Sequence, residues 1–319
     1  GVPVAEVLGL ALGGGGVRGL ANLGVLEALR SAGIKPAVIA AEKANGLPCP
    51  IIGGKWGRDS ESNRKSYLFA TGSSEAQIDT LIQYAKTGGF GTIIFLKDDW
   101  LANHGHFDIN TKNFPDGLAS LQRSVKKIHA AGLEAGAHVF GPSVSPNDPY
   151  ITPKPDPRLA GFACPPLAEA LDDKTKTFTL TGQAKLPPVG PYYQGFPGSY
   201  IQIGDEIISY GKMEPGPPSR FVNCVRGALG TKASAHAAGE PVKGLLAMWG
   251  FLLVDPDSTL ADEVTGNFAK AFNACNFDFV YFDASDGIND AYLDRWYYLN
   301  RMHMGYWQKI GRSIIYQTS

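Results

Sequence analysis

The sequence is most restrictive in what it lacks. It has no Cys-x-x-Cys pair: Cys49, Cys164, Cys224 and Cys275 stand far apart. Zinc and thioredoxin-like chemistry therefore have no support, and four isolated thiols are expected. No apolar run approaches the roughly 18 residues that cross a bilayer. The stretch Val4 to Leu12 is too short and leads into glycines rather than a cleavage site. An excess of one charge is also missing. With a formal net charge of −1, no basic surface is expected to attract nucleic acid or an anionic membrane. The chain begins at Gly1 rather than Met, consistent with a removed leader or tag; the compartment stays open, leaning towards secreted or periplasmic. There is no internal repeat or low-complexity tract.

What is present suits a globular protein. The 319 residues, 44% hydrophobic and 18% charged, are enough for one large barrel or two ordinary domains with a real core. From Ser66 onward, short apolar runs alternate with helical spacing. Lys65–Thr71, Gly91–Lys97 and Glu134–Phe140 read as strands. Glu75–Thr87 and Leu118–Ala131 read as the helices between them, with Ser73 or Ser74 capping the first and Gly132 ending the second. Residues 142–166 are rich in Pro and Asp and read as a loop. Residues 175–243 contain Thr177–Leu180, Tyr200–Tyr210 and Arg220–Val225 between Gly and Pro clusters, a β-rich insertion. In its segment Val225–His236, a histidine is more naturally structural than catalytic. Helix Thr259–Ala274, strand Phe277–Phe282, helix Asp290–Ile310 and strand Ser313–Tyr316 complete the chain.

Alternating strands and helices imply parallel strands. The expected fold is α/β, a (β/α)8-type barrel of which about five strands are present. The expected divisions are an N-terminal β-loop-α-β unit with linker (1–60), a first barrel part (61–165), the insertion (166–244) and a barrel continuation (245–319).

Chemistry in such a barrel gathers where the strands end. One strand ends in Lys97-Asp98-Asp99-Trp100 and another in Tyr281-Phe282-Asp283-Ala284-Ser285-Asp286. Carboxylates accept hydrogen bonds from vicinal hydroxyls, and an indole stacks on the apolar face of a sugar ring; the bland alternative for Asp98-Asp99 is an Asx-type turn. Asp283, directly after an apolar strand, suits a fixed and ionised nucleophile, while Asp286 suits a loop or cap. His138 could contact sugar hydroxyls or be a near-core residue. His104 and His106 lack a clear third ligand. No metal or cofactor is expected.

These residues resemble the melibiase-like clan of α-galactosidases. The resemblance rests on Asp98-Asp99-Trp100, then Lys112-Asn113-Phe114-Pro115-Asp116-Gly117-Leu118, then Ile128-His129-Ala130-Ala131-Gly132-Leu133, in order. It implies a retaining glycoside hydrolase acting on a terminal, α-galactose-type sugar of an oligosaccharide or polysaccharide. It implies Asp283 as nucleophile and Asp98, Asp99, Trp100, His138 and Tyr281 as sugar-binding residues. The chain departs from the pattern in three ways. Tyr281 stands where the family has lysine, Trp100 follows the aspartates one residue sooner, and the family's acid/base aspartate follows a sixth strand.

Gly13-Gly14-Gly15-Gly16-Val17-Arg18-Gly19 resembles the oxyanion loop of patatin-like lipid acyl hydrolases, whose glycines let backbone N–H groups converge on an anion. Their Gly-x-Ser-x-Gly elbow occurs nowhere in the sequence. Three functions thus follow from sequence: glycoside hydrolysis, non-catalytic carbohydrate binding, and lipid acyl hydrolysis at this loop.

Overall fold

Strands that are apolar at every position, separated by amphipathic helices, can bury both faces only as a parallel sheet covered by those helices. The computed structural model describes residues 43–44, 48–141, 143–185, 199–284 and 295–318. Outside these lie the elements expected over Val4–Leu12, Leu20–Ala32 and Ala37–Ala41, the Gly13–Gly16 loop, and Asp286. In chain order the strands are β1 (Ile51–Ile52), β2 (Lys55–Trp56), β3 (Tyr67–Ala70), β4 (Thr92–Phe95), β5 (Glu134–Phe140), β6 (Ser143–Val144), β7 (Gly161–Cys164), β8 (Phe178–Thr179), β9 (Ser199–Ile203), β10 (Glu206–Glu214), β11 (Arg220–Val225), β12 (Val242–Leu245), β13 (Ala247–Met248), β14 (Phe251–Leu253), β15 (Phe279–Asp283) and β16 (Ile315–Thr318). The helices are α1 (Ile78–Gly88), α2 (Lys97–Trp100), α3 (Leu118–Ala130), α4 (Thr259–Cys275) and α5 (Arg295–Ile310).

The chain divides into two units, Gly1–Ala102 with Ile109–Gly141 and Ala269–Ser319, and Asn103–Asp108 with Pro142–Phe268. The first holds a five-stranded sheet in the order β16-β15-β5-β4-β3, parallel throughout. The fold is therefore mixed α/β, with all five expected strands in place. Among the described residues no closed barrel is seen; closure takes eight strands.

Side chains alternate between the two faces of this sheet. Ile93, Phe95, Ala135, Ala137, Val139, Val280 and Phe282 point to one face and are all buried. α1 packs against β4 and α3 against β5. α1 buries Ile78, Leu81 and Ala85, while α3 buries Leu121, Val125 and Ile128, spacings that set each group on one side of its helix. Both helices stop at a glycine in the left-handed region, Gly89 (φ 73°) and Gly132 (φ 78°). At the second, the Gly132 N–H bonds His129 O and the Leu133 N–H bonds Ile128 O, closing the last turn as the sequence suggested. On the opposite face Ile94, Phe279 and Ile315 pack together with Ile52 from the β1–β2 hairpin, Phe69 and Tyr281.

The segments shared with the melibiase-like pattern serve this architecture. Phe114 is buried with its ring 6.0 Å from that of Phe95. His129 Nε2 lies 2.8 Å from Asp278 Oδ2, which also accepts the Ala135 N–H at 2.9 Å, so the end of α3 and the entries to β5 and β15 share one clamp. The Asp278 hydrogen bond raises the His129 pKa above its ordinary 6.5, against the opposing effect of burial. A raised histidine stabilises the fold fully below its unfolded value and loses that contribution as pH rises through the folded value. The Tm difference between wild type and His129→Gln is accordingly expected to be largest below about pH 6.5 and to shrink in mild alkali. A difference independent of pH would show that the ionic part contributes nothing.

In the second unit a six-stranded antiparallel sheet runs in the order β7-β12-β9-β10-β11-β8, over a core that includes Leu167, Phe178, Ile201, Ile208 and Phe221. Segment Tyr200–Tyr210, expected as part of the β-rich insertion, is a hairpin of β9 and β10. Gly204 turns it with φ 55°, a conformation other residues resist. The expected loop 142–166 contributes β6 and β7. The unit is fastened by Glu206, which is fully buried. Its carboxylate accepts Arg226 Nε and Nη2, each at 2.8 Å, the Gly227 N–H at 2.8 Å, the Ser234 N–H at 3.1 Å, and faces His236 Nε2 at 2.8 Å. His236, whose other nitrogen meets Glu240 at 2.9 Å, is thus part of a structural network. Also in this unit, His104 is buried, and His106 Nδ1 meets the buried Asp148 at 2.8 Å. Among the described residues no three His, Cys, Asp or Glu groups are arranged as a metal site. The four cysteines form no disulfide with one another; burial pushes the Cys224 and Cys275 thiols up to about 12, far from nucleophilic thiolates. Among the described residues no helix is long and apolar enough to cross a membrane.

Candidate active site

In the first unit the sequence-predicted residues converge at the C-terminal ends of β4, β5 and β15. Parallel register sets Tyr281 opposite His138 and Asp283 opposite Phe140. His138, Phe140, Tyr281 and Asp283 therefore share a face, and with them comes Phe69 of β3. Phe69 meets His138 edge-on at 5.1 Å and Tyr281 at 6.0 Å, while the His138 and Tyr281 rings are 5.5 Å apart.

Asp283 closes β15 and keeps 34% of its side chain exposed. Its Oδ1 accepts the Ala284 N–H at 2.7 Å, and its Oδ2 lies 3.0 Å from His138 Nε2. Ala284 follows with φ 71°, outside the extended conformation of the strand. The backbone N–H on one oxygen and the imidazole nitrogen on the other fix the direction of the carboxylate. A strand-end carboxylate so held, yet open to solvent, can attack an electrophilic carbon or stabilise a developing positive charge.

The Lys97-Asp98-Asp99-Trp100 segment departs from expectation. It is a single helical turn, α2, rather than the tail of a strand: the Asp99 N–H bonds Leu96 O at 2.9 Å and the Leu101 N–H bonds Lys97 O at 3.0 Å. Successive side chains on a turn diverge by about 100°, so the two aspartates do not act as a pair. Asp98 is exposed and meets Lys97 Nζ at 2.6 Å. Asp99 turns towards the end of β3, where its Oδ2 accepts the Ser73 N–H at 3.0 Å. The backbone carbonyls of both are held by Asn110 and Asn113, at 3.1 and 2.9 Å, which docks the following segment onto the turn.

Trp100 is a correction. Its indole has no exposed surface, packs edge-on against Phe277 at 5.5 Å, and donates Nε1–H to His138 O at 3.1 Å. As placed it has no face to offer a sugar; it is a core residue that secures β5. Lys97 was not singled out from sequence, although it directly precedes the aspartates. It reaches Asp98 with its ammonium, which also lies 4.6 Å from the centre of the Phe140 ring, and it meets His138 Nδ1 with its backbone N–H at 3.2 Å.

No family model and no curated protein matches the sequence. Among solved structures, the chain is similar to an α-galactosidase from Thermus thermophilus in complex with p-nitrophenyl α-D-galactopyranoside, with 14% identity over 88% of this chain and 41% of that one and a TM-score of 0.41. It is similar also to α-galactosidases from Geobacillus stearothermophilus (13%, 82% and 28%, TM-score 0.39) and Lactobacillus brevis (12%, 80% and 26%, TM-score 0.36). The chain spans less than half the length of each of these three proteins, and the likeness is a distant one of fold.

Proposed function

We propose that this chain carries the sugar-binding part of a retaining glycoside hydrolase that acts on a terminal, α-galactose-type sugar, with Asp283 as nucleophile. The observation that carries the proposal is the Asp283 carboxylate itself: held by the Ala284 N–H and by His138 Nε2, 34% exposed, and placed at the ends of parallel strands beside Tyr281. Asp283 attacks the anomeric carbon as the bond to the leaving oxygen breaks and that oxygen takes a proton from an acid. Water then attacks the glycosyl-enzyme and frees Asp283. Such chemistry needs a second carboxyl group about 5–5.5 Å from the first. Asp98 and Lys97 offer an acceptor and a donor to sugar hydroxyls, Tyr281 offers a ring face and a phenol, and Asp99 stiffens the loop after β3.

A 2-fluoro galactosyl fluoride traps the covalent intermediate. Incubation, proteolysis and peptide mapping are expected to place the label on the peptide holding Asp283. A label on any other carboxylate removes the assignment. Sugar binding without label or turnover would identify a non-catalytic carbohydrate-binding protein.

A further inference from the structure

The hydrogen bonds around His138 specify its chemical state. An amide N–H can only donate, and that of Lys97 points at Nδ1 from 3.2 Å. Nδ1 therefore carries the ring's lone pair, and the proton of the neutral imidazole sits on Nε2. Nε2 is 3.0 Å from Asp283 Oδ2, so the ring donates and the carboxylate accepts. A doubly protonated ring would set one N–H against another at Lys97. The ring is held in this pose. Its side chain is 3% exposed, bounded by Phe69, Phe140 and Tyr281, and its own carbonyl is fixed by Trp100 Nε1. Among the described residues, the charged or titratable groups that face it are Lys97 at the end of β4 and Tyr281 and Asp283 on β15; β3 presents Phe69.

We infer that His138 is a positioning residue, a neutral Nε2–H donor that keeps Asp283 ionised and aimed, with its tautomer dictated by the Lys97 main chain. This deepens the proposed function and rests on Asp283 as nucleophile. It gives His138 a role other than contact with sugar hydroxyls. It also removes His138 as the acid for the leaving group, since its lone pair faces Lys97 and its proton faces Asp283.

Two measurements test this on the full chain, one without any substrate. In the 15N spectrum of labelled histidine near neutral pH, the signal lost on His138→Asn is expected to report a proton on Nε2 and none on Nδ1. A proton on Nδ1, alone or with Nε2, overturns the inference. The same variant, with the donor gone, is expected to make the Asp283 carboxyl titrate at higher pH by 13C NMR; an unmoved titration also overturns it. These hold whether or not the protein hydrolyses a glycoside, so they fail separately from the functional proposal.

Where p-nitrophenyl α-D-galactopyranoside is turned over, the split between variants decides the role. Asparagine keeps an acceptor near Nδ1 and loses the donor. It is expected to lower kcat roughly 10- to 100-fold, the scale of a hydrogen bond to a charged group, with KM little changed and the acidic limb of kcat/KM moved to higher pH. Glutamine places an amide donor near Nε2 and is expected to recover most of kcat. A higher KM at unchanged kcat in both variants would make His138 a substrate contact and overturn the inference.

Discussion

Asparagine at position 283 is expected to lower kcat on an aryl α-galactoside by about four orders of magnitude, the scale on which loss of one member of a covalent-catalysis unit acts. The amide matches the carboxylate in shape, and its one oxygen can still accept from the Ala284 N–H, while its NH2 takes the place of the oxygen that faces His138 Nε2. The strand end should therefore keep its conformation while losing the charge that attacks carbon. KM for the terminal sugar is expected to stay within severalfold, because Asp98, Lys97 and Tyr281 are untouched. Circular dichroism and a thermal melt on the same sample separate lost chemistry from lost folding. A folded Asp283→Asn protein that retains more than about a tenth of wild-type kcat would mean that bond cleavage does not pass through this residue.

The largest effect on stability is expected at Glu206. Burial alone would raise its carboxyl; Arg226, His236 and the Gly227 and Ser234 N–H groups outweigh that and hold it below its ordinary 4.5. Glu206→Ala strands an Arg226 side chain that is itself 5% exposed and leaves two backbone donors unpaired. Breaking a buried pair by removing one partner costs about 3–5 kcal/mol, so the unfolding transition of the antiparallel unit should fall sharply in urea. A group with a lowered folded pKa stabilises above its unfolded value and loses that contribution as pH falls through the folded one. Wild type and Glu206→Gln should thus diverge near neutrality and converge in acid below about pH 4.5. A wild-type advantage that persists undiminished at pH 3 would contradict the assignment of this carboxylate as the charged centre of the network.

The parallel sheet was legible because its signals are local and repeated. β4 is a short apolar run, β5 is apolar apart from Glu134 at its start and His138, and α3 spaces Leu121, Val125 and Ile128 on one side before Gly132. Asp283 could be placed at a strand end for the same reason. The sequence was misleading where a tight turn hides inside apolar surroundings. Gly204-Asp205 turns the single β-rich segment Tyr200–Tyr210 into the hairpin of β9 and β10, and Lys97–Trp100 coils where four more extended residues would have looked as natural. The partnership of His138 with Asp283 was invisible, because it joins positions 145 residues apart and depends on the register of β5 against β15. The Trp100 error has a geometric origin: its position next to Asp99 was visible, but the direction of its side chain depends on whether the chain there is coiled or extended.

That coil has a consequence for change at this corner. Lys97, Asp98, Asp99 and Trp100 fan out like spokes: the first two close on each other at the solvent edge, Asp99 holds the bend at Ser73, and Trp100 enters the aromatic interior. Inserting one residue between Asp99 and Trp100 would swing the indole by about 100°, out of its socket on Phe277. The length of this bend is consequently locked to the residue, and lengthening it would exchange a structural tryptophan for one free to face a ligand.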